Sequence, residues 1–115
     1  MTPMLYEVIL PYLNASPFFQ KLSKLIGTKQ HYQIHHLNQS ARALVTAHLW
    51  KETGKNILIV SQDDLMAEDL WDDLCTLIGQ ENALYLPEYE VLPYEERSPH
   101  YSIRATRMMC IHHIL

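Results

Sequence analysis

Asn56-Ile57-Leu58-Ile59-Val60-Ser61 is the stretch on which the fold turns. Its four central residues are all apolar, without the alternation of a half-buried strand. That is the pattern of a parallel strand covered on both faces. Helical patterns flank it. Upstream, Leu44, Val45, Ala47, Leu49 and Trp50 make one broad apolar stripe that Gly54 stops. Downstream, Leu65, Leu70, Trp71, Leu74, Leu77 and Ile78 recur at helical spacing, with Asp63 or Asp64 as cap and Gly79 as close.

Two more short strands fit this frame, one around Tyr32 to Ile34 and one over Asn82 to Pro87. Strand, helix, strand, helix, strand is the rhythm of a parallel α/β sheet with right-handed crossovers. The expected architecture is therefore a partial P-loop-NTPase-like (RecA-like) sheet flanked by helices. Ahead of it, Ser16 and Pro17 open a helix that runs to Ile26 and ends at Gly27. Met1 to Leu13 reads equally as an extended strap or a short helix. Behind it come a Pro- and Glu-rich loop from Glu88 to His100 and a last helix from about Ser102. No stop signal follows Ile111, Ile114 and Leu115, so the chain reads as the leading piece of something longer. Residues 1–30 are taken as an N-terminal extension with a first helix, and 31–115 as an incomplete α/β domain. The strands such a sheet lacks would leave an edge open to pairing, so an edge-strand homodimer of the segment is expected.

Composition narrows the function. Nine Lys and Arg against 13 Asp and Glu give a net charge of -4 in 115 residues. That balance opposes a broad sequence-independent grip on DNA, which needs clustered cations. Cys75 and Cys110 read as two reduced core thiols of a cytoplasmic protein. The apolar runs are too short to span a membrane, and no secretory signal opens the chain.

A loop joining a strand to a helix N-terminus is the natural place for a phosphate in such a fold. A working loop reads G-x-x-x-x-G-K-[ST]: glycines let amides curl around phosphate, the lysine reaches its oxygens and the hydroxyl holds Mg²⁺. Here the segment is His36-Leu37-Asn38-Gln39-Ser40-Ala41-Arg42-Ala43. His36 stands at the first glycine, Arg42 at the lysine and Ala43 at the hydroxyl, which makes the loop a degenerate one without catalytic residues. The plain alternative is a helix start with Ser40 as its N-cap. No cofactor is expected in either case.

Seven histidines invite a metal site, yet none has a cysteine or carboxylate at zinc-finger spacing, and none is assigned. Glu88, Glu90, Glu95 and Glu96 around Tyr89 and Tyr94 read as a solvated acidic loop.

The order of these pieces carries a resemblance. Ser40-Ala41-Arg42-Ala43-Leu44 leads through Thr53-Gly54-Lys55 to the apolar run Ile57 to Ser61. Tyr89-Glu90-Val91-Leu92-Pro93-Tyr94-Glu95 and Ser98-Pro99-His100 follow. This resembles the N-terminal UvrB-like module of the bacterial transcription-repair coupling factors, the Mfd family, over roughly Leu37 to Leu115. Their loop typically reads W-E-T-L-P-Y-E, then S-P-H, then a helix with an arginine. Tyr89 replaces the tryptophan, Val91 the threonine, and Arg104 or Arg107 supplies the arginine. Their phosphate loop is usually G-L-x-G-S-A-R-A, where this chain has His36 and Gln39.

The resemblance implies a non-catalytic scaffold segment of a DNA-translocating ATPase whose active site lies downstream. Such a protein displaces stalled RNA polymerase at DNA damage and recruits UvrA for nucleotide excision repair. Its partners would be the rest of its own chain, with UvrA, RNA polymerase and double-stranded DNA reached through other domains. Two alternatives stand beside it: an active P-loop repair subunit of the UvrB kind, and an unrelated α/β interaction domain.

Overall fold

Five α-helices and one 3-10 turn make up the regular structure of the computed structural model, which describes residues 4–88 and 101–114. They are α1 (Leu5–Asn14), α2 (Pro17–Leu25), α3 (Gln39–Thr53), α4 (Asp64–Ile78) and α5 (Tyr101–Ile114), with the turn at Gln80–Asn82 between α4 and α5. The packing of the long helices α3 and α4 against each other is the centre of the fold, and α1 packs on α4. No described helix is long and apolar enough to cross a membrane.

Local chemistry sets the helix limits. Asp63 accepts a 2.8 Å bond from the Met66 amide and so satisfies one free donor at the start of α4. Pro17 opens α2, where a missing N–H is harmless. Gly54 ends α3 with φ 65, a left-handed turn that returns its amide to the Trp50 carbonyl. The stretch left open between strap and helix is α1, even with Pro11 inside it. Tyr6 and Leu13 of this helix are buried against Ala43, Ala47, Leu74, Leu77 and Ile78, and that packing outweighs the hydrogen bond the proline removes.

The parallel sheet expected from the sequence is corrected by this arrangement. Among the described residues there is no strand, and the P-loop-NTPase-like (RecA-like) fold class does not hold. Residues 32–34, 56–61 and 83–87 are irregular, with no ladder joining them. The physical reason is that an apolar run becomes a strand only when a neighbour takes its amides and carbonyls. Burial on both faces is missing too. Ile57 and Ile59 are 40% exposed, and Leu58 and Val60 are 90% and 87% exposed.

The last of the three stretches has found a different support. Trp71 of α4 donates its indole N–H to the Ala83 carbonyl at 3.2 Å and stacks on Tyr85, ring centroids 5.8 Å apart. The Tyr85 hydroxyl donates to the Asp64 carboxylate. Residues 83–88 are thus strapped along α4 rather than inserted in a sheet. Arg107 of α5 donates to the Pro87 carbonyl, which ties the last helix to the end of this strap.

The strap gives the fold a pH dependence. Burial first, and then the bond to Asp64, push the Tyr85 hydroxyl well above its ordinary range; burial followed by Glu52 raises Tyr6. Unfolded tyrosines ionise near about pH 10. The folded chain holds these protons to higher pH than the unfolded one, so their contribution is complete below about pH 10 and declines as pH rises beyond it. The urea midpoint should fall between pH 9 and 11, with a shallower fall in Tyr85→Phe. An unchanged midpoint would contradict the assignment.

Candidate functional site

The start of α3 is where the sequence places a phosphate loop, and the chain itself occupies it. Asn38, one of the residues the loop pattern leaves free, is the N-cap: its Oδ1 accepts from the Ala41 amide at 2.8 Å. The Asn38 carbonyl accepts from the Arg42 amide at 3.0 Å. Ser40 is therefore not the cap but the second residue of the helix, which corrects the plain reading of this segment. The first turn has one of its free donors already satisfied from within the chain, leaving less for an anion.

His36 stands at the position of the first glycine with φ 62, alone among the described non-glycine residues in having a positive φ. A side chain there costs about 1 kcal/mol against a glycine. The backbone has kept a turn that suits glycine while the residue has not. His36→Gly should therefore raise stability by about 0.5 kcal/mol once the extra entropy of an unfolded glycine is counted. A thermal melt reads it directly, and a loss of stability would show that the imidazole holds the turn.

The six loop residues do not converge. Gln39 and Arg42 border a hollow of about 60 Å³ with Ser61, Met66 and Leu70, on the α4 side of the helix. Ser40 and Ala43 border another of about 280 Å³ with Leu5, Ile9, Leu44, Asp73, Thr76 and Leu77, between α1 and the later turns of α4. Successive helix positions rotate by about 100°, so residues that would cradle phosphate from a loop diverge once they belong to a helix. The first hollow has room for a few water molecules, whereas small-molecule sites enclose about 300 Å³ or more.

Ala43 is 1% exposed and belongs to the core cluster, so the position of the metal-binding hydroxyl faces packed side chains. Arg42 is exposed and holds the one positive charge of the segment's helical part. Opposite it runs α4 with Asp64, Glu68, Asp69, Asp72 and Asp73 and no basic residue. Gln39 donates to Asp73 at 3.3 Å across that gap. This field repels phosphate. What the arrangement does chemically is to start a helix and join it to α4.

The rest of the predicted site divides in two. Tyr89, Glu90, Leu92, Pro93, Tyr94, Glu95, Ser98, Pro99 and His100 lie outside the described residues. Of the two candidate helix arginines, Arg107 turns inward to the Pro87 carbonyl, whereas Arg104 is exposed. His35 and His36 are ring neighbours 6.3 Å apart, and His112 and His113 are 6.2 Å apart. Among the described residues no group of three His, Cys, Asp or Glu is arranged to hold a metal ion. Cys75 and Cys110 are free thiols, and burial, then Asp72 and Glu81, raise the Cys75 thiol away from its reactive form.

One polar cluster went unread in the sequence. His48 of α3 is 1% exposed and bonded at both ring nitrogens, Nδ1 to the Tyr6 hydroxyl at 3.0 Å and Nε2 to the Ser23 hydroxyl at 2.9 Å. Phe19 meets the ring edge-on, centroids 5.1 Å apart. A neutral imidazole donates from one nitrogen and accepts at the other, and a hydroxyl serves either role. The three side chains come from α1, α2 and α3, so a single ring joins all three. The available signal was its position, one residue after Ala47 within the apolar stripe of α3.

No family model matches the chain, no curated protein matches it, and no solved structure matches it.

Proposed function

We propose that the chain is a non-catalytic scaffold segment of a transcription-repair coupling factor, the protein that displaces RNA polymerase stalled at DNA damage and recruits UvrA for nucleotide excision repair. The observation that carries the non-catalytic part is the closed start of α3. Asn38 caps it from within the chain, and Ala43 is turned into the core. The order of motifs from Ser40 to His100 carries the repair part. No nucleotide fold comes with the proposal, since the described residues form no sheet.

In this reading the helices hold a rigid body for domains elsewhere in the protein, in the cytoplasm, without cofactor. UvrA, RNA polymerase and double-stranded DNA are met through those other domains. Deleting the encoding segment in its bacterial host should abolish the faster repair of transcribed strands after ultraviolet damage. Arg42→Ala should leave that preference intact, because no phosphate chemistry depends on it. A deletion strain that keeps the strand preference would end the proposal.

A further inference from the structure

Among the described residues, the apolar run from Ile57 to Val60 has neither full cover for its side chains nor a neighbour for its backbone. Exposure along it alternates at 40%, 90%, 40% and 87% from Ile57 to Val60, the period of two of an extended chain. Leu58 and Val60 share the open face, and Ile57 and Ile59 share the other. Among the described residues, no backbone hydrogen bond joins 56–61 to another segment. Gly54, with φ 65, bounds the run on one side and Asp63, the α4 cap, on the other. An apolar extended segment with open amides and carbonyls is a template for strand addition.

We infer that this run pairs antiparallel with the same run of a second copy, about a two-fold axis beside Ile59. Directly opposed residues in an antiparallel pair point to the same face, so a two-fold pair must place some residue opposite itself. Centring on Ile59 sets Leu58 against Val60 of the second copy, and Val60 against its Leu58. The two most exposed apolar side chains of each copy then cover each other.

The same register sets Lys55 against Asp63 of the second copy at both ends. Among the registers that centre on a residue of the run, this one matches opposite charges directly. Opposite charges facing across a strand pair stabilise it, and like charges oppose it. Asp63 has an oxygen to spare, because its bond to the Met66 amide uses Oδ1 alone. The occupant is thus a second copy, chosen by charge and by the self-complementary order of the run. The pairing stands independently of the repair proposal.

Sedimentation velocity over a concentration series on the whole chain tests it. The expected result is a monomer–dimer equilibrium that Val60→Lys weakens at least tenfold, with an unchanged circular dichroism spectrum because Val60 is on the open face. Lys55→Glu should weaken the dimer several-fold. Adding Asp63→Asn to it should recover part of the loss, since asparagine keeps the helix cap while removing the repulsion. In a chain with Cys75 and Cys110 replaced by alanine, Ile59→Cys should oxidise to a covalent dimer more readily than Ile57→Cys. A monomer at every concentration would overturn the pairing, as would a dimer indifferent to Val60→Lys, or open-ended polymers in place of a closed pair.

Discussion

His48→Ala should lower the unfolding free energy by about 3 kcal/mol. Two losses combine. Truncation leaves the Tyr6 hydroxyl, itself buried, without the partner it now has at 3.0 Å. A buried unsatisfied hydroxyl costs about 1–3 kcal/mol. The space of the ring adds about 1–2 kcal/mol, because the surrounding helices relax into it only in part. Ser23 is exposed and finds water instead, so it contributes little. The decisive control is the double variant Tyr6→Phe with His48→Leu, which removes both polar partners together. It should cost about 1 kcal/mol or less, because apolar groups of similar size leave nothing unsatisfied. Urea unfolding of the native chain, Tyr6→Phe, His48→Leu and the double variant gives the coupling. A double variant as unstable as the sum of the singles would show that the three helices are not joined through this ring.

The second large effect lies in the apolar contact between α3 and α4. Leu74 is buried in the cluster with Ala43, Ala47 and Ile78 and borders neither of the two hollows described. Leu74→Ala should therefore open a closed cavity and cost about 3–4 kcal/mol. Leu77 is equally buried but also borders the trough of about 280 Å³ beside α1. Its truncation widens a space that water already enters, and about 2 kcal/mol is expected. Small domains have only about 5–10 kcal/mol in total, so Leu74→Ala brings the chain near its unfolding threshold at 37 °C. Equal losses at the two positions would show that the trough is closed in solution.

Much of the helical framework was legible because its signals are local. Pro17 opens α2, Asp63 caps α4, and Gly54 and Gly79 close α3 and α4 with positive φ. Each needs only the residue and its immediate neighbours. Asn38 and Ser40 show the limit of such signals. Both are good caps, and which one bonds an amide depends on where the turn of His36 delivers the chain. With Pro11 inside it, the stretch up to Leu13 reads equally as strap or helix, since the packing of Tyr6 and Leu13 that decides it comes from residues far along the sequence. The run from Asn56 to Ser61 was misread for the same reason at larger scale. Apolar character says that a segment wants cover; whether a neighbouring strand provides it is a non-local fact. His48 was passed over because an isolated histidine in an apolar stripe gives no hint of the two hydroxyls, 42 and 25 residues away, that meet it. Of the candidate site, the substitutions at His36, Arg42 and Ala43 were readable one by one. Their divergence to two sides of α3 was not, because the pattern was read as a loop and the residues form a helix.

Central to the proposed function is a start of α3 that caps a helix and binds no nucleotide. Titration of Mg-ATP into the whole chain by calorimetry tests it most directly. No heat beyond dilution is expected at millimolar nucleotide, for the protein as it stands and for Arg42→Lys with Ala43→Thr, which restores two residues of a working loop but not its shape. Saturable binding by the unaltered chain, abolished by Arg42→Ala, would contradict it.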